Sequence, residues 1–323
     1  MMSQVVGHPV RHMRSMGDGL RHNGILVAFA VAVLFMALAK QQFSTFENIT
    51  NILQQNAVVG IIACGMTFAI IIGGFDLSVG ATAALASVVC ALVMTKLGDY
   101  GAPAGILAGF LAAAVVGIFN GALIAYGRIN PFVATLGMMT IVRGLIYVGT
   151  NATPVFGVPL EFTNLGLGKF LGIPIVTLFF AGVALGLGAV LHLTQFGHHV
   201  YAVGGNAKAA SVMGIDPRRL RFITYVLTSL CAALAGILLV GQTASGQPQA
   251  ALGYELTAIA AVIVGGASLG GGHGRMLGSV VGVMLLGVVS NGLNLFGVSP
   301  FWQPVATGVI LILAVAMDRT RSD

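Results

Sequence analysis

Two carboxylates and one arginine carry the chemistry this sequence offers, because apolar residues surround all three. Asp76 follows closely on Gly73 and Gly74 and opens a helical run, Glu255 holds a matching place after Gly253, and Arg143 lies inside an apolar stretch. A carboxylate in such a place either caps the following helix or, at a helix break, accepts hydrogen bonds from the hydroxyls of a polar solute. Both roles fit Asp76 and Glu255. An arginine near the centre of a membrane helix costs about 2.5 to 3.5 kcal/mol on insertion scales, so Arg143 must face inward. There it meets a carboxylate, backbone carbonyls or a pathway. Asn120 and Asn291, each followed by glycine in an apolar run, complete the candidate pathway set.

Other chemistries find no residues. No nucleophile, base and orienting acid stand together, so catalysis is not expected. His8 and His12 have helical spacing without a third ligand, His198 and His199 lack cysteine or carboxylate neighbours, and no metal or other cofactor is expected. Cys64, Cys90 and Cys231 sit in apolar stretches as small buried residues. There is no Walker A sequence; Gly168-Lys169 is followed by Phe170, and Gly270 to Gly274 reads as a flexible turn. ATP, if used, must be hydrolysed by another chain.

The elements that position these residues are membrane helices. Apolar residues make up 57% and charged residues 7% of 323, where soluble domains carry roughly 25% charged. The expected fold is an all-α polytopic membrane protein. Apolar runs cover 24–39, 52–73, 77–95, 103–126, 131–150, 171–193, 222–244, 253–270, 276–293 and 300–317. That makes about ten transmembrane helices. The run 24–39 also resembles a cleavable signal peptide, but the further spans favour its retention. With both termini inside, eleven basic residues fall in inner loops and tails, while the outer loops hold Lys40, Lys96 and Lys169. This bias makes both termini cytoplasmic, with tails at 1–23 and 318–323 around a membrane domain at 24–317. The basic residues form no stripe for nucleic acid.

The longest polar interruption, 194–221, is then cytoplasmic. Asn206 can cap a short helix over 207–213, Gly214 can stop it, and Asp216-Pro217 can start the next. Two turns cannot stand alone. Ala209, Val212 and Met213 share a face suited to a partner's groove; the plainer reading is an ordinary basic loop.

Three consecutive spans recur five spans later. Gly74-Phe75-Asp76-Leu77 matches Gly253-Tyr254-Glu255-Leu256, Asn120-Gly121 matches Asn291-Gly292, and Ala134-Thr135 matches Ala306-Thr307. An odd offset inverts the second half, so a five-plus-five inverted-topology repeat is expected, as in transporters. Gly105 with Gly109, and Gly278 with Gly282, give small-xxx-small spacings at matching places.

Three motifs in order carry a family resemblance. Gly73-Gly74-Phe75-Asp76-Leu77-Ser78-Val79-Gly80 resembles the GGxDLSVG stretch of ribose-type permeases, the membrane subunits of bacterial ATP-driven (ABC) sugar importers; Phe75 stands where that family more often has Ile. Asn130 to Gly137, continuing to Arg143-Gly144, resembles its NPFxATLG and following RG, and 204–215 resembles its cytoplasmic GGNxxAAxxxGI loop. The resemblance runs from about Asn51 to Met317. It implies a multi-pass inner-membrane permease working by alternating access as a homo- or heterodimer. Two ABC ATPase subunits would dock beneath, and an extracytoplasmic binding protein would deliver a monosaccharide. The coupling residues it implies are Gly205, Asn206, Ala209, Ala210, Met213 and Gly214. Rival readings are a permease of this type for another small polar solute, a stand-alone ion-coupled transporter, and a membrane enzyme. The last two lack buried carboxylate relays and paired catalytic residues.

Overall fold

The computed structural model describes residues 24–98 and 101–322; the basic tail with His8 and His12 lies outside the described residues. Helix α1 covers Gly24–Ala39, α2 Phe46–Ile71, α3 Val79–Leu97, α4 Gly101–Ala125 and α5 Pro131–Thr150. A short α6 (Thr163–Leu167) and a small hairpin precede α7 (Ile175–Leu193) and α8 (Gln195–Val212). The chain continues through α9 (Pro217–Thr243), α10 (Tyr254–Val264), α11 (Met276–Leu295) and α12 (Trp302–Ser322). Seven of the described helices, α2 to α5, α7, α9 and α11, are long and apolar enough to cross a membrane. The protein is an all-α polytopic membrane protein.

Local signals start and stop these helices. Thr45 caps α2, its Oγ accepting from Asn48 N at 3.3 Å, which begins the helix at Phe46 ahead of the apolar run. Asn130 caps α5 with Pro131 in the first turn, its Oδ1 accepting from Phe132 N at 2.9 Å. Two stretches differ from expectation. The run 171–193 is helical only from Ile175, because Leu171 (φ 49°) and Gly172 (φ 82°) turn the hairpin between Lys169–Phe170 and Ile173–Pro174. The run 253–270 is helical only over the 11 residues of α10. At helical rise it is roughly 16 Å long, about half the hydrocarbon thickness. Gly266 (φ 93°) ends it in a left-handed conformation that interrupts the helix inside an apolar sequence.

The core is built around α2 and α9, the two longest helices, whose Ile61, Ile62, Phe68, Tyr225 and Leu238 side chains are fully enclosed. They touch along their length, with Thr228 Oγ1 donating to Gly65 O at 3.2 Å. Helix α9 packs against α3 and α4, while α2 packs against α10 and α11, where Thr67 Oγ1 donates to Ser279 Oγ at 2.7 Å. Each long helix therefore leans on the opposite half of the chain. The glycine pairs serve those crossings. Gly105 and Gly109 of α4 lie on the carbonyls of Cys90 and Ala86 in α3, and Gly278 and Gly282 of α11 lie on those of Gly265 and Ala261 at α10. A side chain at any of the four would push the helices apart. In contrast, α5 shows Ile141, Leu145 and Val148 to its surroundings.

Candidate functional site

The polar segment between α7 and α9 folds as the sequence requires locally. Thr194 caps the first half of α8; Asn206 then leaves helical geometry (φ −157°, ψ 98°), and its Oδ1 accepts from Ala209 N at 3.0 Å to start a new helical segment. Gly214 (φ 84°) stops that segment. Asp216 Oδ1 accepts from the Arg218 and Arg219 amides at 2.9 and 3.4 Å, and Pro217 opens α9. Gly205, Asn206, Ala209, Met213 and Gly214 are all exposed, and Val212 and Met213 show 89% and 80% of their surface. Ala210 corrects the expected docking face: it is 3% exposed and packs into the core, one helical position round from Ala209. It anchors the segment instead of presenting it.

The first half of α8 is locked to the core by contacts between distant segments. Gly272 N donates to Ile71 O at 2.8 Å at the end of α2. Gly204 lies so close that a Cβ there would collide with the Ile71 carbonyl and the Gly272 nitrogen. Nearby, Tyr201 Oη donates to Gly274 O at 2.7 Å. Burial raises the Tyr201 pKa above its ordinary value of 10.0, so the hydroxyl keeps the proton it donates. The glycine run 270–274 is thus pinned between α2 and α8 and is not a free turn. Tyr201 was not singled out from the sequence, where nothing sets its ring apart from that of Phe196 in the same polar stretch.

Behind the second half of α8, facing the α4–α5 turn, lies a cavity of about 960 Å³ bordered by Arg128, Asn130, Lys208, Asp216, Arg221 and Tyr225. Tyr225 reaches from α9 to donate to Phe75 O at 3.3 Å, just ahead of Asp76.

Asp76 is fully buried. Its Oδ1 accepts from Ser78 N at 2.8 Å and Ser78 Oγ at 2.6 Å. Asn120 Nδ2 donates to Ser78 Oγ at 2.8 Å and reaches Asp76 Oδ2 at 3.5 Å. The carboxylate therefore shapes the turn that leads into α3 and ties it to α4. Asn120 Oδ1 has no partner among the described residues. Replacing Asp76 by Leu strands the Ser78 amide and hydroxyl, at about 1 to 3 kcal/mol for each unsatisfied group. Asp76→Asn keeps an acceptor. The expected result is a strongly lowered melting temperature for the Leu variant and a small shift for the Asn variant, read by thermal unfolding in detergent.

Arg143, half-buried, donates from Nη1 to Pro248 O at 2.8 Å and to Ala250 O at 3.2 Å. It clamps the turn that leads into α10. Glu255 begins that helix, and a Cβ on Gly80 would meet Glu255 Oε2 and the Ala251 carbonyl. The starts of α3 and α10 are thereby in contact, each carrying one of the two carboxylates. Arg143→Leu removes hydrogen bonds from a charged donor, worth about 1.5 to 3 kcal/mol each. A fall in melting temperature that Arg143→Lys partly restores is expected; unchanged melting in the Leu variant would show that the clamp carries no stability. Asn291 is apart from these groups. It exchanges hydrogen bonds with Asn48 at the start of α2, at 3.1 and 2.8 Å.

Residues 48–315 match the family model described as branched-chain amino acid transport system / permease component. The chain is 42% identical over 310 residues to the ribose import permease protein RbsC of Bacillus subtilis (strain 168), covering 94% of this chain and 95% of that protein. It is 40% identical over 300 residues to RbsC of Escherichia coli (strain K12), covering 92% and 93%. With the L-arabinose transport system permease protein AraH of the same organism it shares 38% over 296 residues, covering 92% and 90%. No solved structure matches.

Proposed function

Because this chain belongs to the branched-chain amino acid transport system / permease component family, we propose that it forms the membrane pathway of an ATP-driven importer for a monosaccharide. Its relatives named for ribose, arabinose and allose support that substrate class. The chain is a transport permease and not the hydrolysing subunit.

The reading includes ten crossings in a five-plus-five inverted repeat, with α1, α10 and α12 completing the seven long spans. It is supported by the exchanged packing of α2 and α9 on the opposite halves and by the meeting of α3 and α10 at their starts. Residues 24–317 form the membrane domain, 194–221 its coupling segment, and both tails are cytoplasmic. Two copies, two ABC ATPase subunits and an extracytoplasmic binding protein make the working assembly.

The single observation that carries the reading is the second half of α8. It is a helical segment capped at both ends, with apolar Val212 and Met213 almost fully exposed and its base locked through Gly204 to the end of the central helix α2. Such a segment suits a cleft on an ATPase: a push on it reaches α2 directly. Asp76 and Asn120 support this machinery by holding α3 to α4, while half-buried Arg143 and Glu255 border the pathway, which runs between copies beside the exposed face of α5. Asn291 steadies the start of α2.

Uptake of labelled ribose, arabinose and allose by cells lacking their own importers tests the assignment. Accumulation of at least one of these sugars, dependent on this chain and its cognate ATPase, is expected. Accumulation of none, with the chain present in the membrane, would reject it.

A further inference from the structure

The segment 207–213 has three faces. Ala210 packs inward, Ala209, Val212 and Met213 point away from the protein, and Ala207, Lys208 and Ser211 border the cavity on the far side. At 100° per residue the cavity face lies nearly opposite the exposed apolar face. An ATPase that grips Val212 and Met213 therefore leaves the cavity free.

Four cations border this space: Arg128 from the α4–α5 turn, Lys208 from α8, and Arg218 and Arg221 from α9. Among the described residues none of them forms an ion pair. Among the described residues the one carboxylate bordering the cavity, Asp216, is already accepting from two backbone amides, and the start of α5 is capped by Asn130. The helix starts are thus satisfied, and the guanidinium and ammonium groups are what remains to be matched. About 960 Å³ is room for a compact solute. Tyr225, Asn130 and Ser211 add hydrogen-bonding groups beside the charges. Arginine forks match phosphate oxygens in pairs, and a lysine adds a point charge.

We propose that this cavity binds the phosphate group of a small phosphorylated solute from the cytosol, wedged between the α4–α5 turn and the back of the coupling segment. The occupant ties Arg128 on one side to Lys208 and Arg221 on the other, and so restrains the segment through which the ATPase acts. A phosphorylated sugar fits this chemistry: the phosphate meets the cations and the hydroxyls meet Asn130, Ser211 and Tyr225. Chemically, such a ligand is what a kinase makes from an imported sugar, so occupancy would report supply back to the importer. The cytosolic placement and the regulatory consequence rest on the proposed function; the binding itself does not.

The test uses the purified full-length permease, without ATPase, in phosphatidylcholine nanodiscs. It is titrated by calorimetry with ribose 5-phosphate, with inorganic phosphate and with ribose. Saturable binding of ribose 5-phosphate but not of ribose is expected, weakened about tenfold or more in Arg128→Gln/Arg221→Gln and largely kept in Arg128→Lys/Arg221→Lys. Lys208→Gln should weaken binding less, and the unliganded melting temperature confirms that each variant is folded. No saturable binding, or equal binding by the Gln variant, overturns the proposal. Stabilisation that appears only when phosphatidylglycerol is added also overturns it, because a lipid headgroup would then be the occupant. The Val212→Glu/Met213→Glu variant should bind ribose 5-phosphate normally, so loss of ATPase docking and loss of this site are read separately.

Discussion

Replacing both Val212 and Met213 by Glu is expected to release the ATPase from the purified permease and abolish ATP-driven uptake, while the chain inserts and melts normally. Both side chains are almost fully exposed, so the carboxylates cost the isolated permease little. In a docked complex each would be buried against the partner without a counter-charge. Central contacts of this kind are worth about 2 kcal/mol or more each, and an unpaired buried charge adds to that. At tenfold per 1.4 kcal/mol, two such losses weaken association by on the order of a thousandfold. Co-purification of a tagged permease reads the effect. Retention of the ATPase by the double variant would move the docking surface elsewhere. The contrast is Ala210→Arg, which should lower the melting temperature and expression, because Ala210 lies within the core and not on the docking face.

The second large effect belongs to Gly204→Val. The substituted side chain would occupy the space of the Ile71 carbonyl and the Gly272 nitrogen, and both neighbours are backbone that cannot rotate away. The first half of α8 must then lift off the end of α2, breaking the Tyr201 to Gly274 hydrogen bond as it goes. Overpacking of this kind costs about 1 to 3 kcal/mol in stability. The functional cost is expected to be larger, because this backbone contact lies between the docked segment and the end of the central helix, beyond the Phe196–Phe68 ring contact further along α8. Uptake should fall by roughly tenfold or more while ATPase association survives, since Val212 and Met213 are untouched. Loss of association together with uptake would show that Gly204 supports the segment's shape alone. Gly205→Ala is the packing control, read by melting temperature: a Cβ on Gly205 meets nothing within 4 Å.

These residues also show what could be read from the chain and what could not. Asn206, Gly214, Asp216 and Pro217 were legible because caps and stops are local: each acts on amides or carbonyls within a few positions. Ala209 and Ala210 are the same residue type side by side, and which one faces the core depends on the neighbours that α8 meets. The asparagines mislead for the same reason. Asn120 and Asn291 share a following glycine, yet one bonds to the turn at Asp76 and Ser78 while the other pairs with Asn48. Hydropathy carried the run 253–270 straight through Gly265 and Gly266, where the helix ends, because glycine is scarcely polar and its effect is conformational. The lock of Gly204 against Ile71 and Gly272 joins three distant segments, and nothing in the local sequence of any one of them announces it. Arg143 was partly legible: its cost in a span demanded partners, and backbone carbonyls were among those anticipated, though not Pro248 and Ala250 in particular.

On the proposed function, movement in the membrane is driven through the segment after Asn206 by a separate hydrolysing subunit. Proteoliposomes measure this directly, loaded either with the permease alone or with the permease, its cognate ATPase and the binding protein. Labelled sugar should accumulate only in the complete vesicles, only with ATP supplied on the cytoplasmic side, and not with Val212→Glu/Met213→Glu. Accumulation in vesicles holding the permease alone, driven by an ion gradient, would show instead that the permease transports without a hydrolysing subunit.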